Sequence, residues 1–221
     1  IMNRWQLYYD QRKFDLALRD SDSCNTKASR ASSLETLYAL GKIDEIYKKI
    51  ENYSDLDNEN IRMAAFASFI AEKENKDTAL NFCKNPLSFL YFSNIKSHLK
   101  NHVEFIKDVI NELNNVETIW EPVGKTARNG FKTTTNINLF TNSSKGISEL
   151  KSIILNELDS YFLKFEKESC SFIQKWPHTK NLVGWHVILK KQGYQEAHIH
   201  PAGWLSGVIY LKVVPSLGKD E

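Results

Sequence analysis

The spacing of apolar residues changes part-way along this chain of 221 residues, and that change constrains the fold more than any other feature. From Trp5 to about Leu90 apolar residues recur every three or four positions, which is the period of an amphipathic helix. From Trp120 onward the chain is richer in β-branched residues separated by glycine and proline. We therefore predict an α+β protein with a helical first half and a second half that contains a sheet.

Three stretches of the helical half resemble one another: residues 9–18, 38–47 and 71–80. Their register resembles that of degenerate tetratricopeptide repeats, and the copy that contains Gly41 fits best. Such helix pairs stack on their neighbours to bury their apolar faces, which gives a short solenoid. A plain helical bundle is the alternative, and both would make this half a scaffold or docking surface.

The second half is predicted to alternate strands with one long helix. A strand is expected at residues 131–140, and a helix should follow Gly146 with Ser148 as its N-cap. Further strands are expected at the end of the chain, separated by turns at residues 191–193 and 201–203: residues 183–189, 194–200 and 205–214. Strands at this spacing are typical of a jelly roll, which needs about eight, so the sheet is expected to be incomplete.

These patterns predict three regions in the chain. Residues 1–95 should form a helical, tetratricopeptide-like domain, residues 96–119 a linking helix, and residues 120–221 the first part of a jelly-roll domain, a partial double-stranded β-helix with a long supporting helix.

Charge and cysteine content exclude several classes of protein. The net charge of +2 is too small to predict a nucleic-acid or membrane partner. The chain has no apolar run of about eighteen residues and no signal-peptide pattern at its start, so a cytoplasmic location is expected. Cys24, Cys83 and Cys170 are far apart in sequence, and their spacing predicts neither a disulfide framework nor a zinc site.

Two histidines near the end of the chain form the strongest candidate site. On a strand, His198 and His200 would point to the same face, so both imidazoles could bind one metal ion such as iron, zinc, copper or nickel. A bare pair of this kind can also be two ordinary imidazoles.

The residues around this pair form a longer motif. Its parts are Val183-Gly184-Trp185-His186-Val187-Ile188-Leu189, Gly193-Tyr194, His198-Ile199-His200-Pro201 and Leu205-Ser206-Gly207-Val208-Ile209-Tyr210-Leu211. This motif resembles 2-oxoglutarate- and Fe(II)-dependent oxygenases of a group related to prolyl hydroxylases. The resemblance implies Fe(II) held by two histidines and usually a carboxylate, with 2-oxoglutarate as cosubstrate and hydroxylation of a C–H bond as the reaction. Tyr210 stands where related enzymes bind the distal carboxylate of 2-oxoglutarate.

The motif departs from the family pattern at the acid. His198 matches the first histidine ligand, but His200 occupies the place of the usual aspartate. Alternatively the frame begins at His200, which places Ala202 where the acid belongs. The distal histidine and arginine of the family are also missing from the sequence, so we expect no turnover from this segment by itself.

The resemblance predicts a non-haem Fe(II)- and 2-oxoglutarate-dependent hydroxylase. A protein or peptide substrate is preferred because a helical solenoid suits polypeptides. One alternative is a cupin-type metal-binding jelly roll, although cupins usually follow such a histidine pair with a glutamate that this chain lacks. Another is a non-catalytic interaction protein in which the helical repeats bind a partner.

Overall fold

A computed structural model describes residues 2–80, 82, 83, 85–200 and 203–213 of the chain. They contain helices and an antiparallel sheet, which confirms the α+β class. The chain divides into two compact units. Unit 1 comprises Ile1–Leu90, Phe165–Trp176 and Pro201–Trp204, and unit 2 comprises Tyr91–Lys164, Pro177–His200 and Leu205–Glu221. In the described parts, no helix is both long and apolar enough to cross a membrane.

Unit 1 consists of helices packed around an aliphatic core. The helices are α1 (Met2–Asp10), α2 (Phe14–Cys24), α3 (Lys27–Ala39), α4 (Ile43–Tyr53), α5 (Ile61–Glu74) and the short α8 (Ser171–Gln174), and a 3-10 helix spans Pro86–Phe89. Several core side chains are almost completely buried: Leu34, Leu37, Ile46, Ile50, Met63 and Ile70. Because they recur on one face of α3, α4 and α5, the period of the sequence is also the period of the core.

The three repeat-like stretches do not all form helix pairs. Gly41 connects α3 to α4 with a φ of 70°, a conformation that glycine adopts without strain. The third stretch differs because α5 ends at Glu74, where Asn75 takes a left-handed conformation and its N–H bonds the last carbonyls of the helix. Residues 75–80 are not helical, so this stretch has no second helix, and the structure does not confirm a tetratricopeptide arrangement.

A buried ion pair joins α3 to the loop after α4. Arg30 donates from Nε and Nη2 to the two carboxylate oxygens of Asp57 at 2.7 and 2.6 Å. It also donates to the carbonyl of Asn25 at 2.8 Å. Asp57 is fully buried, so its carboxylate depends on this bidentate partner for the hydrogen bonds that water would otherwise supply.

In its described residues, unit 2 combines two α-helices with a three-stranded sheet. In chain order it contains a 3-10 helix (Ile95–His98), α6 (His102–Asn114), β1 (Thr118–Trp120), β2 (Ala127–Thr133), α7 (Lys145–Phe165, whose last residue belongs to unit 1) and β3 (Val187–Gln195). The strand order is β1-β2-β3, and both pairs are antiparallel. The predicted linking helix is therefore divided, since its first residues form a 3-10 turn and its last residues enter β1.

The turn predicted at residues 191–193 does not separate two strands, because β3 spans Val187–Gln195. The register of β2 and β3 shifts between Arg128 and Gly130, which marks a β-bulge. A Cβ on Gly193 would lie 2.5 Å from the carbonyl oxygen of Asn129. Gly193 is therefore required for the close approach of two strands at this bulge.

The strands predicted at residues 194–200 and 205–214 are also not observed with these bounds. β3 ends at Gln195, and residues 196–200 and 205–213 have no strand structure. The final residue of the predicted strand 205–214 lies outside the described residues. β-branched composition gives a segment the propensity for a strand but does not supply the neighbour with which it must pair. A three-stranded sheet does not confirm the jelly roll.

The long helix α7 is capped by a side chain from α6. Glu112 accepts hydrogen bonds from the N–H groups of Gly146 and Ile147 at 3.0 and 2.9 Å and from the Ser144 hydroxyl at 2.6 Å. The prediction of Ser148 as N-cap is wrong, because α7 begins at Lys145 and Ser148 lies in its first turn. Glu112 thus satisfies free N–H groups that a local cap usually bonds.

The same contact fixes the core of unit 2. Apolar residues of α6 and α7 pack together: Phe105, Val109, Leu113, Ile147, Leu150 and Ile153. Partly buried residues from the loop after β2, among them Leu139 and Phe140, cover this cluster. The Glu112 carboxylate therefore sets where α7 begins relative to α6, and the apolar cluster holds the two helices together.

We predict that Glu112→Ala lowers the free energy of unfolding by about 1–2 kcal/mol, the usual cost of losing a helix cap. Burial opposes the ionisation of Glu112, but the bonds from Ser144, Gly146 and Ile147 outweigh it and lower its pKa. A depressed folded-state pKa gives stability that is complete above the ordinary glutamate pKa and is lost as the pH falls through the folded pKa. Urea unfolding measures the difference in free energy of unfolding between the parent chain and Glu112→Ala. This difference should be smaller below about pH 4 than at neutral pH.

The control for this experiment is Asp108→Ala, an exposed acid on the same helix. It should leave the free energy of unfolding within about 0.5 kcal/mol of the parent chain. An equal loss in both variants, or a Glu112→Ala loss that does not depend on pH, would contradict the capping role.

We also predict that Asp57→Ala destabilises the chain by about 3–5 kcal/mol, because it leaves the buried Arg30 charge without a partner. Asp55→Ala removes an exposed acid from the same loop and serves as the matched control. Chemical unfolding followed by circular dichroism measures both variants. If Asp57→Ala unfolds at the same denaturant concentration as Asp55→Ala, the ion pair does not stabilise the fold.

Candidate metal site

The pairing of β2 with the chain around β3 holds the candidate site. Thr133, the last residue of β2, accepts the N–H of His186 on its hydroxyl at 2.9 Å and donates its own N–H to the His186 carbonyl at 3.1 Å. Two residues before His186, the N–H of Gly184 donates to the carboxamide oxygen of Asn138 at 2.9 Å. A Cβ on Gly184 would lie 2.3 Å from the ring of Phe140, so only glycine allows this approach.

These bonds bring Trp185 next to two charged or polar side chains. The Nζ of Lys132, on β2, lies 4.6 Å from the centre of the Trp185 ring, a cation–π contact. The ring of His200 lies 5.4 Å from the same tryptophan. The ring of Trp185 therefore contacts both Lys132 and His200.

A second set of bonds places the chain that leads from β3 to the histidines. Arg128 holds the Glu196 carboxylate with two bonds of 3.0 and 2.9 Å. The N–H of Glu196 donates to the carbonyl of Thr126 at 2.9 Å. The Glu196 carbonyl is consequently fixed, and the Nδ1 of His198 lies 2.6 Å from it.

This last contact determines the tautomer of His198. A carbonyl oxygen can only accept, so the hydrogen must be on Nδ1. In the neutral ring Nε2 then carries the lone pair, which is the form that binds metal ions. Histidine ligands in proteins commonly donate their second nitrogen to a backbone carbonyl in this way.

His198 and His200 lie side by side, although not on a strand as predicted. Their ring centres are 4.8 Å apart and their planes cross at 81°. His198 is exposed and His200 is partly buried. Burial lowers the pKa of His200, and the nearby His198 and Lys132 lower it further, which favours its neutral form.

An Fe(II) site of the expected kind takes two histidines and a carboxylate, and the described residues bring two histidines together. In the described residues, no group of three or more His, Cys, Asp or Glu side chains is placed to hold a metal ion. Ala202, the acid position of the alternative frame, lies outside those residues. Two adjacent imidazoles are therefore part of the donor set that Fe(II) takes in proteins.

Two other aromatic residues that are close to the motif in sequence make none of these contacts. Tyr210 is 76% exposed and makes no hydrogen bond within the described parts of the chain. Its role towards 2-oxoglutarate therefore stays a prediction. Trp204 packs in unit 1, where its ring centre is 5.2 Å from that of Phe82 and its Nε1 donates to the Phe172 carbonyl at 3.2 Å.

The sequence reasoning missed two residues near the histidines. Lys132 lies far upstream on another strand, and nothing in its local sequence distinguishes it from an ordinary strand lysine. The role of Glu196 is carried by its backbone carbonyl, which every residue has. A contact of either kind depends on strand register, which sequence spacing alone does not determine.

His186 has an unusual environment beside this cluster. Its Nδ1 lies 2.8 Å from the Thr133 hydroxyl, and its Nε2 is buried without a hydrogen-bond partner in the described structure. Burial lowers the pKa of His186, so the neutral ring is favoured.

The comparisons with known proteins concern the same segment. A family model described as "Putative 2OG-Fe(II) oxygenase" matches residues 184–221. This stretch contains Trp185, His198, His200 and Tyr210, so the match supports a relation to the 2-oxoglutarate/Fe(II) oxygenase superfamily and a general oxygenase function. No curated protein and no solved structure matches the chain significantly.

Proposed function

We propose that this chain contributes the histidine pair of a 2-oxoglutarate- and Fe(II)-dependent hydroxylase. One observation carries the proposal: within the segment that matches the oxygenase family model, two imidazole rings lie side by side with their centres 4.8 Å apart. His198 is held with Nε2 free by the Glu196 carbonyl, and the surroundings of His200 favour its neutral form. Two unrelated surface histidines would not be expected to combine a ring held by a backbone carbonyl with a neighbour whose pKa is lowered by burial.

In this proposal His198 and His200 are both ligands. Fe(II), when bound, would allow oxygen and 2-oxoglutarate to oxidise a substrate C–H bond. The chain's own contribution is to hold two imidazoles close together, with the Glu196 carbonyl fixing the ring of His198. The place of the family's aspartate is taken by His200, and a further ligand must complete the site.

Lys132 gives the site a cation that the sequence motif lacks. A dicarboxylate cosubstrate needs a positive group for its distal carboxylate, and a phenol such as Tyr210 cannot neutralise that charge. Lys132 is half-buried, contacts Trp185 and is close enough to His200 to lower its pKa. We assign it the role of binding the cosubstrate carboxylate.

The helical unit supports a protein or peptide as the substrate in this proposal. Tyr38, Phe66 and Phe69 form a cluster of rings on α3 and α5, and Phe69 is 47% exposed. Exposed aromatic groups on a rigid helical scaffold are typical of surfaces that bind polypeptides. Tetratricopeptide-like stacking remains a proposal for this unit.

For the metal site, we predict that His198→Ala and His200→Ala each weaken Fe(II) binding by at least about 10-fold. Even the loss of a ligand's hydrogen-bond partner has an effect of that size. Anaerobic titration with Fe(II) and 2-oxoglutarate, followed by the metal-to-ligand charge-transfer absorption, measures the change. His178→Ala, an exposed histidine of the same unit, is the control and should bind like the parent chain.

Two outcomes would reject parts of this proposal. If the parent chain binds Fe(II) but 2-oxoglutarate adds no charge-transfer band, the histidines form a simpler metal site of the cupin kind. If His198→Ala binds Fe(II) as the parent does, this histidine is not a ligand.

The second prediction is that Lys132→Met weakens 2-oxoglutarate binding by about 10- to 100-fold, since a hydrogen bond to a charged group contributes about 1.5–3 kcal/mol. Methionine keeps an unbranched chain against Trp185, so packing should change little. Fe(II) affinity should stay the same or rise, because a positive charge near the metal is removed. Lys191→Met on β3 is the control.

The different responses of the affinities for Fe(II) and for 2-oxoglutarate distinguish a binding effect from a folding effect. A variant that was merely less well folded would lose affinity for both the metal and the cosubstrate. If Lys132→Met leaves 2-oxoglutarate affinity at the parent value, Lys132 does not bind the cosubstrate.

A further inference from the structure

Two cysteines that are distant in sequence lie together in unit 1. Cys83 follows α5, and Cys170 is the residue that precedes α8. The two segments are joined by a backbone hydrogen bond of 3.0 Å from the Phe172 N–H to the Phe82 carbonyl. The rings of Phe82 and Phe172 also pack together with their centres 6.0 Å apart, which places Cys83 beside Cys170, and the two thiols interact.

The backbone on both sides of this contact is fixed. The Ser68 hydroxyl of α5 donates to the Cys83 carbonyl at 3.0 Å. The Cys170 carbonyl accepts the N–H groups of Ile173 and Gln174 at 3.1 and 3.0 Å. Two groups held in this way react with each other at a high effective concentration, in contrast to cysteines on a mobile chain.

The two thiols differ in accessibility. Cys83 is buried, whereas Cys170 is partly exposed. Burial, together with the neighbouring Cys170, raises the pKa of Cys83 to about 11. Cys83 also lines a cavity of about 30 Å³, which has room for a water molecule. Cys170 is therefore the thiol that solution oxidants meet first.

We propose that Cys83 and Cys170 are a modification site that forms a reversible intramolecular disulfide on oxidation by hydrogen peroxide. The Cys170 thiolate attacks one peroxide oxygen, the O–O bond breaks, and hydroxide leaves to become water, which gives a sulfenic acid. The Cys83 sulfur, after losing its proton, then attacks the Cys170 sulfur and displaces hydroxide as a second water. The two thiols lose two electrons and the peroxide gains two.

This bridge closes a long loop of the chain. The residues between the two cysteines include α6, β1, β2 and α7. A cross-link that closes a long loop restricts the unfolded chain more than a short one, so the oxidised form is expected to melt at a higher temperature than the reduced form. The proposal does not depend on the oxygenase function, because it uses no residue of the histidine cluster.

The experiment treats the reduced, full chain with hydrogen peroxide, counts the remaining thiols and maps the linked peptides without reduction. We expect the number of free thiols to fall from three to one, with a Cys83–Cys170 peptide, and dithiothreitol to restore all three. Cys24→Ser is the matched control and should form the same linkage. Cys83→Ser should instead accumulate a sulfenic acid on Cys170 that dimedone traps.

Other results would overturn the proposal. These are a linkage that involves Cys24, oxidation of Cys170 beyond the sulfenic acid in the parent chain without a cross-link, or dimers as the main product. Thermal melts of each reduced variant establish that it is folded. In urea the preference for the Cys83–Cys170 disulfide should disappear. In an unfolded chain the choice of disulfide depends on loop length, and Cys24 and Cys83 enclose a shorter loop than Cys83 and Cys170.

Discussion

The antiparallel pairing of β2 with β3 is the interaction on which the candidate site depends. These strands are separated in sequence by the whole of α7, so their pairing is non-local. It places Lys132 opposite Val187, two residues after Trp185, and it brings Arg128 close to Glu196. The histidine pair begins two residues beyond Glu196. If the register shifted by one residue, Lys132 would move to the other face of the sheet and the cluster would not form.

The bulge in this pairing has a consequence for the site. A register shift between Arg128 and Gly130 allows the two strands to stay paired on both sides of an irregular point. Gly193 and Gly130 permit it, because a Cβ at either position would lie within 3 Å of the opposite strand. β3 therefore continues to Gln195, and the chain leaves the sheet close to Arg128 and Thr126. That exit point, more than the histidine motif itself, fixes the Glu196 carbonyl under His198.

A small number of long-range polar contacts determine the helical parts in a similar way. The Glu112 carboxylate starts α7 at Lys145, and the pair of Arg30 and Asp57 joins α3 to the loop after α4. Both involve partners more than twenty residues apart in sequence. Local sequence rules favoured Ser148 as the cap because a serine near the start of a helix usually fills that role. A carboxylate from another helix was the better acceptor here, and no pattern within α7 could reveal it.

The contact between Cys83 and Cys170 is another feature that local sequence patterns do not reveal. Their spacing in sequence predicted no disulfide framework, which was a reasonable conclusion for three scattered residues. Spacing along the chain says little about distance in space when the intervening residues fold separately. Cys83 and Cys170 are brought together by the contacts of Phe82 with Phe172, whose ring centres lie 6.0 Å apart. A site made by packing is found only once the packing is known.

The sequence by itself determined the α+β class, the helical character of the first half and the identity of the candidate ligands. Periodicity shows which residues of a helix are buried, and a motif keeps His198 and His200 adjacent whatever surrounds them. Tertiary structure alone decided which strands pair, where β3 ends, and that Lys132, Trp185 and His200 share one cluster. The physical reason is that propensity and spacing are local properties of the chain, whereas strand register and side-chain contacts depend on residues that folding brings together from far apart.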